Sequence, residues 1–324
     1  MKILTVFTGG TIGSSLQDGV ISPDTGNSYL LLDMYSEIDG QTEFVIAQPF
    51  SILSENICEQ NMVGIYDCIL QNYVPDLDGI IVTHGTDTLQ YTAAFLSYAL
   101  GICETPVVLV SANYPLADKR SNGLSNFSAA VDFIKSKQGR GVFVAYTNSG
   151  EAPQIHRASR VLTHLPYSDL IFSVFNQPYG QIRNGNFIKN NRYFEKADGA
   201  GRIFPSDGFL TDKVTSIKAV PNGDYVEVSA DLKAVLIETF HSGTLNTASP
   251  KLVAFCRKAG ALNVPVFLTG VCKGFNYESK SLFQNLGLRV LPAASPIAMY
   301  IKLKMLASSD FDKLYLSVGG DLVE

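Results

Sequence analysis

Two stretches of this chain set hydroxyls beside permissive backbone: Thr8-Gly9-Gly10-Thr11-Ile12-Gly13 and His84-Gly85-Thr86-Asp87-Thr88. A threonine hydroxyl can attack a carbonyl carbon when a neighbouring group takes its proton, and the second stretch also carries a carboxylate and an imidazole. The glycines let backbone N–H groups approach a small ligand closely. Each stretch directly follows a short β-rich apolar run, Ile3-Leu4-Thr5-Val6-Phe7 and Gly79-Ile80-Ile81-Val82-Thr83. Turns at the carboxyl ends of strands line the ligand crevice of an open α/β sheet. The pair therefore predicts hydroxyl-nucleophile chemistry on one small molecule. Taken singly, each turn has a plainer use. Gly9-Gly10 reverses the chain, Asp87 or Thr88 caps a helix, Thr86 bonds locally and His84 fills space. Those uses strain to explain two hydroxyl-rich turns at equivalent places in one sheet. A nucleotide site is disfavoured, because neither G-x-G-x-x-G nor a P-loop lysine is present.

Positioning such turns needs a sheet with helical connections, and the apolar pattern supplies one. Strands are expected over 2–7, 79–83, 106–111 and 142–147, and helices over 55–70, 88–100 and 126–135. The last helix would turn Ala129, Ala130, Phe133 and Ile134 to one face. Short apolar runs alternating with helical periods indicate βα units and a parallel sheet. Residues 181–210 lose that rhythm and are rich in Asn, Gly, Arg and aromatics, as an interdomain linker would be, with a hairpin turn at Asn184-Gly185. The rhythm resumes with strands over 234–238, 265–269 and 288–291 and helices over 250–259, 279–286 and 295–306. The expected fold class is α/β: a larger N-terminal doubly wound parallel-sheet domain over 1–190, a linker over 191–211, and a smaller C-terminal α/β domain over 212–324.

The chain has 324 residues, 46% hydrophobic and 17% charged, which suits a well-packed globule of two domains. A formal net charge of −5 and the lack of a Lys/Arg cluster give no electrostatic reason to expect nucleic acid or an anionic membrane as partner. The five cysteines, Cys58, Cys68, Cys103, Cys256 and Cys272, are scattered and never form CxxC, and only four histidines accompany them. That pattern predicts free thiols and no metal site. No signal-peptide pattern and no apolar run of membrane-spanning length is present, so a cytoplasmic location is expected.

Together the two threonine motifs, at this spacing and in this order, closely resemble the two signatures of the bacterial-type L-asparaginase/glutaminase family, its cytoplasmic type I branch more than its secreted type II branch. The resemblance continues through Pro106-Val107-Val108-Leu109-Val110-Ser111-Ala112, then Asp118 and Ser121-Asn122-Gly123, and through Val235-Leu236-Ile237-Glu238-Thr239-Phe240-His241-Ser242-Gly243-Thr244. It covers essentially the full length at low to moderate similarity. It implies deamidation of L-asparagine, and of L-glutamine in many members, through a covalent acyl-enzyme. By resemblance the catalytic residues are Thr11 as nucleophile with Thr86 and Asp87 as the second cluster. Gly10, Ser54, Glu55 and Gly85 would bind substrate, Ser54 and Glu55 gripping its α-carboxylate and amine. The Thr86 backbone N–H would help hold the oxyanion. No cofactor or metal is implied. A homodimer or homotetramer is, with Tyr277-Glu278 in the region that the family lends across the interface.

Two features depart from the family pattern. A lysine expected at Leu162, or at Thr163 with a one-residue shift, is absent, and no lysine occurs between Lys137 and Lys189. The loop tyrosine that assists the nucleophile is replaced by Val20, with Tyr29 the nearest aromatic hydroxyl. Three readings follow. The chain is an amidohydrolase whose proton path runs through Arg160, His156, His164 or Tyr29, or one of the same mechanism acting on another small amide. Otherwise it is a non-catalytic homologue that binds an amino acid.

Overall fold

The computed structural model describes every residue except 18–19, 24–26, 200, 205–209, 272–273, 275–276 and 308–310, and every side chain outside those positions and 13–29. From the N-terminus, β1 (Lys2–Phe7) leads to a hairpin of β2 (Ser14–Gln17) and β3 (Val20–Pro23), then α1 (Asn27–Ser36) and β4 (Glu43–Ala47). Alternation follows through α2 (Glu59–Asn72), β5 (Gly79–Thr83), α3 (Leu89–Leu100), β6 (Val107–Val110), α4 (Gly123–Ser136) and β7 (Val142–Tyr146). Next come β8 (Gln154–Arg157), β9 (Gly180–Arg183) and β10 (Asn186–Lys189).

These strands, apart from the hairpin, form one sheet in the order β10-β9-β8-β7-β6-β5-β1-β4. Strands β4, β1, β5, β6 and β7 run parallel, and β8, β9 and β10 extend the sheet antiparallel. The central strands are apolar on both faces because both faces are covered. Leu4, Val6, Ile80, Val82 and Leu109 face a layer with α2 and α3. The residues between them, including Ile3, Ile81, Val108 and Val110, face α1 and α4. This division by twos is the pleat of the strand written into two cores.

The smaller sheet joins β11 (Val214–Lys218), β12 (Ala234–Glu238), β13 (Val266–Thr269) and β14 (Leu288–Val290), all parallel and in that order, with α5 (Pro250–Ala261), α6 (Glu278–Ser281) and α7 (Pro296–Leu306). Helix α5 packs on one face through Leu252 and Phe255. Helix α7 covers the other and also meets α3, so Ala298, Met299, Ile301 and Leu303 share one core cluster with the large sheet. A fully buried ion pair fixes that contact. Lys302 Nζ lies 2.8 Å from Asp321 Oδ2, to which Tyr98 also donates at 3.1 Å.

Two sequence expectations change. The Asn184-Gly185 turn does form a hairpin, with φ of 50° and 73°, but β9 and β10 are the outer strands of the large sheet rather than part of a linker. The helix expected over 279–286 shrinks to α6, after which Leu286 and Gly287 close in turns. Strands β2, β3, β4, β8 and β11 are additions to the expected set. β8 reads Gln154-Ile155-His156-Arg157, and its polar residues hide a strand whose last three residues are buried.

Candidate active site

The two threonine turns meet at their glycines. Gly10 has φ of 73°, and a Cβ there would lie 2.5 Å from the Gly85 Cα. Gly9, at φ of 96°, lies equally close to Ile52, where the loop after β4 passes. The Gly10 N–H donates to the Ile52 carbonyl at 2.9 Å, and the Ile52 N–H donates to the Thr8 carbonyl at 3.1 Å. Thr8 Oγ1 donates to the Thr83 carbonyl at 2.7 Å, and Thr88 Oγ1 to the Ser54 carbonyl at 2.8 Å. A Cβ on Gly85 would in turn strike Ser54. Three carboxyl-end loops, after β1, β4 and β5, are thus drawn into one junction that only glycine permits. Thr11 and Thr86 each follow the glycine that makes the contact, and both are half-buried. Ser54 is buried beside them, while Glu55 and Asp87 are exposed.

His84 stabilises this junction. It is fully buried, with Nδ1 2.8 Å from the Gly85 carbonyl and Nε2 2.8 Å from Thr92 Oγ1. Burial pushes its pKa down to about 4, so the ring is neutral at neutral pH. Thr88 occupies the N-cap position of α3 without making a side-chain cap, since its hydroxyl is used on the Ser54 loop. The capping role expected of Asp87 or Thr88 is thereby replaced by a tie between loops.

Beyond Thr86 and Asp87 a cavity of about 430 Å³ opens, lined among others by Gln90, Asn113, Tyr146, Thr163, His164 and Asp169. Asn113 is set by reciprocal bonds with Asn122, its N–H donating to Asn122 Oδ1 at 2.9 Å and its Oδ1 accepting from the Asn122 N–H at 3.0 Å. Tyr146, at the end of β7, donates its hydroxyl to the Asp169 carbonyl at 2.8 Å. Sequence reasoning does not name Asn113, Gln90, Tyr146 or Asp169. Asn113 and Tyr146 are within reach of the rule that finds the threonine turns, because they stand at the carboxyl ends of β6 and β7.

Thr163 and His164 arrive from a segment held by the C-terminal part of the chain. Arg160 is buried and donates to the carbonyls of Gly320, Phe194 and Leu322 at 2.7, 2.7 and 2.8 Å. Ser159 Oγ donates to the Gly319 carbonyl, and Ser295 Oγ to the Val161 carbonyl. Arg160 is therefore a clamp and not part of a proton path, contrary to one sequence expectation. His156 is excluded likewise: it is buried in β8 against Ser173 Oγ at 2.8 Å, and burial lowers its pKa to about 4. Of those candidates whose side chains are described, His164 alone lines the cavity. Burial pushes its pKa down, and the charges of Asp87 and Asp169 push it back up. Its Nε2 is shielded and has no hydrogen-bond partner among the described residues. Val20 opens β3 and Tyr29 lies in α1, but their side chains fall outside the described residues. Leu162, one of the two positions where a lysine was expected, is half-buried, its N–H donating to the Phe172 carbonyl at 2.9 Å. Tyr277 is exposed and Glu278 opens α6.

Among the described residues no group of three or more His, Cys, Asp or Glu side chains could hold a metal ion, and no helix is long and apolar enough to cross a membrane. Cys58, Cys68, Cys103 and Cys256 are free thiols, and Cys272 lies outside the described residues.

Residues 2–192 match the family described as asparaginase, N-terminal. The chain is 29% identical over 290 residues to the D subunit of the glutamyl-tRNA(Gln) amidotransferase of Methanosarcina acetivorans, covering 84% of this chain and 64% of that protein. The same protein of Methanococcus vannielii is 30% identical over 262 residues, or 73% of this chain and 58% of the relative. The chain thus spans less than two thirds of the length of these relatives. In fold it is similar to the thermostable L-asparaginase of Thermococcus kodakarensis, with a TM-score of 0.79 at 21% identity over 100% of both chains. A probable cytoplasmic L-asparaginase of Campylobacter jejuni gives 0.73 at 22% identity, over 97% of this chain and 98% of that one.

Proposed function

This chain belongs to the asparaginase family, and from that premise we propose that it hydrolyses a small amide, L-asparagine or L-glutamine, to the acid and ammonia through an acyl-enzyme on Thr11. The observation that supports this reading is the Gly10–Gly85 contact, which puts Thr11 and Thr86 one residue either side of a single backbone junction. Thr11 Oγ attacks the amide carbon, the carbonyl oxygen gains negative charge, and backbone N–H groups of the junction, including that of Thr86, stabilise it. Collapse breaks the C–N bond and releases ammonia, and water then cleaves the ester to regenerate Thr11. Ser54, Glu55 and Asp87 hold the substrate's α-carboxylate and ammonium. No metal or cofactor enters the scheme. We assign the working form to a homodimer or homotetramer in the cytoplasm.

The test is ammonia release from asparagine, glutamine and a panel of small amides, with hydroxylamine added to trap the acyl-enzyme as a hydroxamate. Turnover with trapping, and a fall of about 10³-fold or more in Thr11→Ala, is the expected result. Full activity in Thr11→Ala would remove Thr11 as nucleophile. Absent turnover together with stabilisation by aspartate would favour an amino-acid-binding role. A second reading draws on the relatives named as parts of an amidotransferase: the released nitrogen passes to an acceptor on a partner protein. The exposed Leu165 and Tyr167 at the cavity offer such a partner apolar surface. A marked preference for glutamine, with turnover raised by a co-purifying protein, would favour it.

A further inference from the structure

Amide cleavage by a hydroxyl needs a group that takes the hydroxyl's proton and returns one to the departing nitrogen. Around the cavity beside Thr86 and Asp87 the described lining contains no lysine and no arginine, and one histidine, His164. Two observations, its opening on the cavity and the carboxylates around it, set His164 apart from the molecule's buried imidazoles. It opens on the cavity, whereas His84 is sealed with both ring nitrogens engaged and His156 lies inside the sheet. Its Nε2, like that of His156, is shielded from solvent and has no hydrogen-bond partner among the described residues, so it is available to accept a proton. Two carboxylates, Asp87 from the loop after β5 and Asp169 from its own loop, line the same cavity, and their charges act on its ring.

The other titratable groups around the cavity are Tyr146 on β7 and Tyr167 beside it in the loop. The Tyr146 ring centre is 6.2 Å from that of His164, and its hydroxyl is spent on the Asp169 carbonyl. The backbone entering this loop is fixed by the Arg160, Ser159 and Ser295 bonds to the C-terminal part of the chain.

We propose that His164 is the proton-holding and positioning residue of the site, receiving the proton that the Thr86–Asp87 pair takes from the nucleophile and returning it as the amide breaks. This rests on the amide-hydrolase reading above. In the first half-reaction Thr11 loses its hydroxyl proton and bonds to the acyl carbon. The proton rests on Nε2 of His164, where the charges of Asp87 and Asp169 stabilise the imidazolium, and then goes to the nitrogen that leaves as ammonia. In the second half-reaction water supplies the proton and the oxygen, the ester C–O bond breaks, and the Thr11 oxygen takes the proton back. No oxidant or other reactant is needed. The desolvated ring is neutral at neutral pH, which is the form that accepts.

The test compares the pH profiles of kcat and KM in the unaltered protein, His164→Gln and His164→Lys. It adds an NMR titration of the His164 ring in the unaltered protein and in Asp87→Asn. His164→Gln is expected to lose about 10²- to 10⁴-fold in kcat. Its KM should stay within a fewfold, and the acidic limb of the kcat profile should vanish. His164→Lys should recover part of kcat with that limb moved to higher pH. The His164 pKa should fall in Asp87→Asn, because a charge that favours the imidazolium is gone. Unchanged kcat and acidic limb in His164→Gln would overturn the proposal. If the unaltered protein cleaves no amide, the hydrolase reading fails by itself. The proton link is then judged by NMR alone, where a His164 pKa unmoved by Asp87→Asn refutes it.

Discussion

The two sides of the Thr86–Asp87 turn are built on opposite principles. Toward Gly10 and Ser54 it is closed, with glycine against glycine and every loop tied by backbone or threonine hydrogen bonds. Toward Thr163 and His164 it opens into a cavity of about 430 Å³ with a polar lining and a ring nitrogen that has no partner among the described residues. The closed side fixes backbone, which is what an oxyanion donor requires, because its N–H must already point at the developing charge. The open side keeps side chains, space and an unsatisfied base, which proton transfer and substrate entry require. One turn serves both because its glycine faces one way and its hydroxyl and carboxylate the other.

The comparison breaks most readily on the closed side. Gly10→Ala adds a Cβ against the Gly85 backbone at a φ of 73° that L side chains rarely adopt. It should cost on the order of 5 kcal/mol and remove turnover, as read by chemical denaturation and ammonia release. A variant as stable and active as the parent would show that the junction is not closed. Next in size is Arg160→Met, which strips two buried carbonyls and a partly buried one of their donor behind the cavity. The expected loss is about 4 kcal/mol. The lining would loosen with it, so crystals of the variant should show Thr163 and His164 displaced.

The pH dependence of stability distinguishes the sealed histidines from the open one. His84 and His156 are held neutral with pKa values of about 4, against 6.5 for a free histidine. The unfolded chain therefore binds more protons between pH 6.5 and 4, and stability falls as pH drops through that window. At pH 5 the expected loss is about 2 kcal/mol for each relative to pH 7.5. Urea midpoints measured from pH 7.5 to 5 in His84→Gln should show a shallower decline than in the parent. An equal slope would mean that the ring is not sealed. Smallest of all, Thr163→Ala changes an exposed residue on the open side and should move stability by less than about 0.5 kcal/mol. A larger loss would place Thr163 in the packed structure.

Much of the larger sheet was legible because its central strands are short, apolar and followed by helices: β1, β5, β6 and β7 stand where their Val/Ile/Leu runs are. Strand β8 was not legible, since His156 and Arg157 are buried by partners that lie far off in sequence, Ser173 for one and Glu195 for the other. The hairpin at Asn184-Gly185 was visible as a turn but not as a sheet edge, because a turn motif says nothing about what its strands will pair with.

By itself the sequence determined the α/β class, the two threonine turns and their place at strand ends, and the absence of a lysine between Lys137 and Lys189. Those follow from local rules: apolar period, glycine permissiveness and plain composition. Only the tertiary structure decided that Gly10 touches Gly85, that Arg160 is a clamp, and that His164 rather than His156 faces Asp87. The reason is physical. A side chain's chemistry is set by what surrounds it, and for these residues the neighbours come from loops 30 to 160 positions away, brought together by the stacking of strands.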